Sequence, residues 1–329
     1  MHHALVFSTS KHSSGDEDAA SWIADLANDF AFLHPLDAPH WLHQGHAAEM
    51  LCQPESNFEA KKLQHKEAFK TLCPRAANKQ LDVNIAPADR RREQTLIADM
   101  DSTIIASESL DDLPALAGLD DAVTAITKRA MAGEIDFEGA LLERVSMLAG
   151  KYSRLFDRLI ATATLTSGAI ELVHTMRANG AKCYLVSGGF DVITGPAAAL
   201  CGFHDHHANH MNVRNGKMLG TVQTPILDRN AEGAYLAHYC KQNGIGPIDA
   251  ATIGDGANDL TMLQAAGMSV AFEGKPLLLA DVAIQLNHTD LRDLLYLQGY
   301  KQRDLIADKL YCFNLSHRNK RGRNRPLCL

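Results

Sequence analysis

A chain of 329 residues, 46% hydrophobic and 22% charged, has the composition of a folded globular protein long enough for two domains. Its formal net charge of −7 disfavours nucleic acid or an anionic membrane surface as the principal partner. Seven cysteines without a C-x-x-C pair indicate neither a disulfide framework nor a zinc site. With no run of about 18 apolar residues and no leader-like basic and apolar start, a reducing, cytoplasmic location and a small-molecule partner are expected.

The first 88 residues contain a strand candidate, ALVFS (4–8), a helical pattern in AASWIADLANDF (19–30) and a late extended run, LDVNIAP (81–87). They predict a small α+β domain. The proline and charge run NIAPADRRREQ (84–94) marks the boundary. From 89 to 300 the pattern becomes strand, loop and helix in repetition, the signature of a parallel sheet wrapped by helices. The strand candidates are TLIAD (95–99), AKCYLVS (181–187), AATIGD (250–255), MSVAF (268–272) and DVAIQL (281–286). The expected fold class is therefore α/β, a Rossmann-like parallel sheet. A helical cap inserted after its first strand, about 108–178, should stand over the carboxyl ends of the strands, where open α/β sheets bind ligands. The histidine-rich HDHHANH (204–210) reads as a solvated loop, and residues 301–329 as a C-terminal extension ending in the basic tail HRNKRGRNRPLCL.

Three of these strands end in polar residues. LIADMDSTIIASE (96–108) carries Asp99 and Asp101, which as i and i+2 of an extended segment point the same way. SGGF supplies the Ser187 hydroxyl and, at Gly188 and Gly189, backbone N–H groups that an anion can approach closely. GDGANDL adds Asp255, Asn258 and Asp259. Taken singly, each has a bland explanation: a turn former, a tight turn, a helix cap. Taken together, the carboxylates would repel one another strongly unless a hard, oxygen-preferring cation such as Mg²⁺ lay among them.

Residues 95–300 closely resemble the phosphoserine phosphatases of the haloacid dehalogenase superfamily, through DMDSTIIASE, AMAGEIDFEGALLERV, LVSGGF, IGDGANDLTML and LLYLQGY. The resemblance covers about two thirds of the chain, and the first 90 or so residues are only loosely similar to the regulatory-type domains that accompany such enzymes. It implies Mg²⁺-dependent hydrolysis of phosphoserine, with Asp99 as nucleophile and Asp101 as general acid and then base. The ion would be held by Asp99, the Asp101 carbonyl and Asp255, supported by Asp259. Ser187, Gly188 and Asn258 would meet the phosphoryl group. The lid residues Glu108 and Arg144 would take the substrate's ammonium and carboxylate, with Met131 and Phe137 as apolar walls. In one respect the chain departs from the pattern: Glu232 stands where a lysine is expected near the start of the helix after PILD. Arg229, one turn earlier, is the first candidate to supply the missing charge, and Lys275 a weaker one. Glu232 pointing away from a slow active site, or a degraded site that binds without turnover, are the other two accounts. A different small phosphorylated amine or alcohol is the alternative substrate.

Overall fold

The computed structural model describes residues 2–9, 16–30, 33–53, 76, 78 and 80–306. The basic tail lies outside them. The N-terminal region is an antiparallel sheet, built from β1 (His3–Thr9), β2 (His40–His43), β3 (Ala47–Cys52) and β4 (Leu81–Pro87) in the order β2-β3-β1-β4. Its alternation sorts side chains between two cores. Leu5 and Phe7 pack with Ile23, Leu26 and Phe30 on and beside helix α1 (Asp16–Asp29), whereas Ala4 and Val6 face the main core of the chain. β2 and β3 were not among the strand candidates.

The larger sheet is parallel and six-stranded. Its strands are β5 (Thr95–Ala98), β6 (Lys182–Phe190), β7 (Asp205–Asn209), β10 (Ala250–Gly254), β11 (Met268–Phe272) and β12 (Ile284–Leu286), in the order β12-β11-β10-β5-β6-β7. All four residues of β5 and all five of β10 are buried, which is why both read as uninterrupted short apolar runs. The sixth strand, β7, is built from the histidine-rich segment expected to be a loop. Its ring nitrogens have protein partners: His206 pairs with Thr194, His207 with the Tyr239 hydroxyl, and His204 accepts from the Cys183 N–H. At the edge of the sheet, these side-chain bonds satisfy what a central strand would bury.

Four helices separate β5 from the crossover into β6: α2 (Ser109–Leu116), α3 (Asp120–Met131), α4 (Phe137–Ser146) and α5 (Leu155–Thr162). The following helix, α6 (Ala169–Ala178), lies within the span expected to form the cap, but buries Ile170, Leu172, Val173 and Met176 and packs against β6 of the sheet. It is the crossover helix that brings the chain back to a parallel strand, so the inserted cap ends near Thr162. After α7 (Asp191–Cys201) and β7, the hairpin β8 (Met211–Arg214) and β9 (Lys217–Val222) leans on the cap, with Gly150 N donating to Met218 O at 2.9 Å. Helix α8 (Arg229–Asn243) then returns to the sheet, followed by α9 (Leu260–Ala265), α10 (Pro276–Leu279) and α11 (Asp293–Leu297).

Candidate active site

Register brings the site together. Ala98, the last residue of β5, pairs with Ile253 of β10 on one side and Leu185 of β6 on the other, and the Asp99 N–H extends the ladder by donating to Ile253 O at 3.0 Å. Asp99, Ser187 and Asp255 therefore leave three adjacent strands at nearly the same level, at the carboxyl edge of the sheet. The chain turns sharply after Asp101 because Ser102 adopts φ +55°, a left-handed conformation rare for a residue with a side chain. The Ser102 hydroxyl then donates to Glu108 Oε1 at 2.9 Å, tying the mouth of the loop to the start of the cap.

Asp99 and Asp101 are both buried, and their environments differ. Ser109, the first residue of α2, donates its N–H to Asp101 Oδ1 at 3.0 Å and its hydroxyl to Oδ2 at 2.8 Å. Even so, burial and the neighbouring Glu108 push the Asp101 carboxyl up to about 8, where it still carries a proton at neutral pH. Burial, with Asp259, Glu232, Asp255 and Asp101 all nearby, drives Asp99 well above the usual carboxylate range. Asp255 is also raised by burial, although the Lys275 ammonium lies 2.9 Å from its Oδ2 and opposes the shift.

The loop from β6 closes the other side. Buried Ser187 accepts the Gly189 N–H on its Oγ at 2.9 Å. Both glycines are required by contact. A Cβ on Gly189 would lie 2.6 Å from Asp101 Oδ2, and one on Gly188 would lie 2.6 Å from the Phe137 ring. Phe137, which opens α4, thus presses the cap onto this loop. Met131 ends α3, in the cap, with its side chain outside the described atoms.

The two lid residues expected to choose the substrate are engaged within the protein. Lys275 Nζ lies 3.1 Å from Glu108 Oε1. Buried Arg144 donates from Nε to Asp111 Oδ1 at 2.9 Å and from Nη2 to Thr127 Oγ1 at 2.8 Å, binding α4 to α2 and α3.

The third strand end presents a denser cluster. Asp259 accepts from Gly256 N at 2.9 Å and from Asn258 Nδ2 at 3.0 Å, and burial lifts its carboxyl to about 7. Asp228 caps α8 by accepting from the N–H groups of Asn230 and Ala231, which fixes the direction of the helix's first turn. That turn carries Glu232 inward. Glu232 is 1% exposed, and one oxygen each from Glu232, Asp99 and Asp259 lie within 4.8 Å of one another. The account in which Glu232 points away from the site is therefore incorrect: helix capping aims it at Asp99 and Asp259. Lys275, ranked below Arg229 on sequence distance, meets two site carboxylates because its backbone N–H donates to Asp255 O at 2.8 Å and sets it beside β10. Arg229 begins α8 with its side chain outside the described atoms. Converging, buried carboxylates of this kind suit a hard divalent cation.

Residues 96–264 match the haloacid dehalogenase-like hydrolase family. The chain belongs to that family. A HAD family hydrolase from Salmonella enterica serovar Typhi has the same architecture, with a TM-score of 0.77 at 25% identity over 90% of this chain and 98% of that one. The phosphoserine phosphatase of Methanocaldococcus jannaschii is 35% identical over 62% of this chain and 97% of its own length. That of Streptomyces coelicolor is 35% identical over 72% of this chain, a match spanning only 58% of the Streptomyces protein. Among the described residues, no helix is long and apolar enough to cross a membrane.

Within this hydrolase site, sequence reasoning missed two supporting residues. Ser109 orients Asp101, and its one signal was a serine eight positions after that aspartate. Buried Asn209, on β7, donates to Gly188 O at 2.8 Å and to Leu227 O at 3.0 Å and accepts the Leu227 N–H at 2.8 Å. It locks the phosphate-loop candidate to the segment that leads into α8. No local pattern marks it, because its three bonds span 18 to 21 residues of sequence.

Proposed function

We propose that this protein is a Mg²⁺-dependent phosphomonoesterase that hydrolyses O-phospho-L-serine to L-serine and phosphate in the cytoplasm, serving serine synthesis. The observation that carries the reading is the pair Asp99 and Asp101: two carboxylates at one strand end, the second oriented by Ser109 and held near pH 8, where proton exchange is easy.

A carboxylate oxygen of Asp99 attacks phosphorus, and the bond from phosphorus to the serine oxygen breaks as the Asp101 carboxyl delivers its proton to that oxygen. In the second half a water attacks the aspartyl phosphate, Asp101 takes the water's proton, and the bond from phosphorus to Asp99 breaks to release phosphate. Splitting the hydrolysis in this way replaces one difficult step with two easier ones. Ser187 and the N–H of Gly188 would hold the phosphoryl oxygens, with Asn258 beside them. Asp99, the Asp101 carbonyl and Asp255 would hold magnesium, with Asp259 behind them; when bound, it neutralises charge on the carboxylates and the phosphoryl oxygens.

Substrate choice falls to the cap. The ammonium of phosphoserine would compete with Lys275 for Glu108, and its carboxylate would share Arg144 with Asp111. Met131 and Phe137 would wall the pocket. Of the candidates to replace the expected lysine, we assign Lys275, because it already touches Asp255 and Glu108.

Phosphate release from phosphoserine, measured with Mg²⁺ and with a chelator, tests the reading. Turnover that needs the ion and vanishes in Asp99→Asn is expected. Binding of phosphoserine without turnover above that variant would instead make this a ligand-binding protein with a disabled site.

A further inference from the structure

The residue that departs from the family pattern is also the one with the least satisfied side chain in the site. Glu232 is 1% exposed, and neither Oε1 nor Oε2 has a hydrogen-bond donor. Its close polar neighbours are the Asp259 carboxyl and the Asn258 amide, which lies near enough to favour the charged form without completing a hydrogen bond of normal geometry. Two carboxyl groups join only through a shared proton or a shared cation. We propose that Glu232, Asp99 and Asp259 form a second cation site that takes a hard divalent ion, in addition to the ion expected at Asp99 and Asp255.

Three features support a cation over a proton. The first is geometric. One oxygen from each of the three residues lies within 4.8 Å of the others, the span that oxygens take up around a cation bound at roughly 2.1–2.5 Å. The second is preorganisation. Gly256 N and Asn258 Nδ2 hold the Asp259 carboxylate from behind, and a Cβ on Gly254 would lie 2.4 Å from it, so its direction is set by the backbone. The capped first turn of α8 sets Glu232 in the same way.

The third is charge. Asp99, Asp101, Asp255, Asp259, Glu232 and Glu108 converge, and among the described side chains Lys275 is the cation that pairs with any of them. Lys275 pairs with Glu108 and Asp255, so among the described side chains no cation pairs with the corner formed by Asp99, Asp259 and Glu232 when a phosphate dianion arrives. A proton on Glu232 removes one charge and supplies none, whereas a second divalent ion makes the corner of the site beside Asp99 positive. Incoming phosphate and an ionised nucleophile both require that. In this scheme the ion supplies positive charge beside Asp99 and Asp259, complementing Lys275 beside Asp255 and Glu108.

The test is binding of Mn²⁺ alone to the metal-free full chain, followed by the electron paramagnetic resonance signal of the free ion. Two ions per chain are expected for the native protein and one for Glu232→Gln, with affinity at the lost site weakened at least about tenfold. Glu232→Lys should also bind one, and circular dichroism on both variants guards against misfolding. Asp255→Asn should lose the other ion and keep this one. A single ion in the native protein would overturn the proposal and leave the shared proton as the link, as would two ions in both Glu232 variants. The site is separable from the phosphoserine reading. Two ions without phosphoserine turnover would remove that reading alone, and turnover with a single bound ion would remove this one alone.

Discussion

Two buried carboxylates, one where the sheets meet and one in the active site, are treated in opposite ways. Asp82, on β4, is 4% exposed and receives the N–H groups of Asn287 and His288 and the Thr289 hydroxyl. Next to it Asn84 exchanges two bonds with the backbone of Gln285 on β12, an amide side chain that extends the pairing from one sheet edge to another. Glu232 is 1% exposed and receives no donor at normal hydrogen-bond geometry. A carboxylate that serves the fold is buried together with its donors. One left without donors, beside two others, is an unpaid cost unless a ligand or a proton completes it.

The comparison can be broken most sharply at Asp99, the proposed nucleophile. Asp99→Asn should lower phosphoserine turnover by about 10⁴-fold or more, read as phosphate released per chain; residual turnover within tenfold of native would remove Asp99 from its role. Next in size, Asp82→Ala orphans three donors and should destabilise the native protein by roughly 2–4 kcal/mol in urea unfolding. A loss below about 0.5 kcal/mol would show that the junction of the two sheets contributes little to stability.

A third carboxylate sharpens the contrast away from the site. Glu93 is buried with Oε2 unpartnered, and burial followed by Asp249 pushes it from 4.5 up to about 8. The unfolded chain ionises near 4.5 and the folded one near 8, so this residue should cost stability increasingly as pH rises through that window, and fully above it. Glu93→Gln should leave stability at pH 4 nearly unchanged and raise it by roughly 2–4 kcal/mol at pH 9. An equal effect at both pH values would mean that the native carboxyl is not held neutral.

The smallest effect is expected for Glu232→Gln in a chelator at pH 7. Burial and Asp259 drive that carboxyl well above its usual range, so an amide of the same shape should shift stability by less than about 1 kcal/mol. Added Mn²⁺ should then raise the melting temperature of the native chain more than that of the variant. Equal shifts would argue that the ion does not reach Glu232.

Legibility followed the range of the interactions. The five strand candidates of the parallel sheet all appear in it, because each is short, apolar and closed by a polar residue, a local signal. β7 was missed because an edge strand made of histidines shows no apolar run, and its rings are satisfied by Thr194 and Tyr239 from elsewhere in the chain. The cap was drawn too long because α6 is as apolar as its neighbours in sequence; only its packing under β6 assigns it to the sheet. Within the site, Asp99, Asp101, Ser187 and Asp255 were visible from their place at strand ends. Ser109 and Asn209 were not, since each is recognisable only by the group it holds.

The sequence by itself determined five of the six parallel strands, the polar residues at the strand ends and the replacement of a basic residue by Glu232, because periodicity and chain position are local properties. Tertiary structure alone decided that Glu232 turns inward onto Asp99 and Asp259, that Lys275 reaches Asp255 and Glu108, and that Arg144 rests on Asp111. Those outcomes depend on strand register and helix capping, which bring together groups tens to more than a hundred residues apart, and nothing in the residues between them carries that distance.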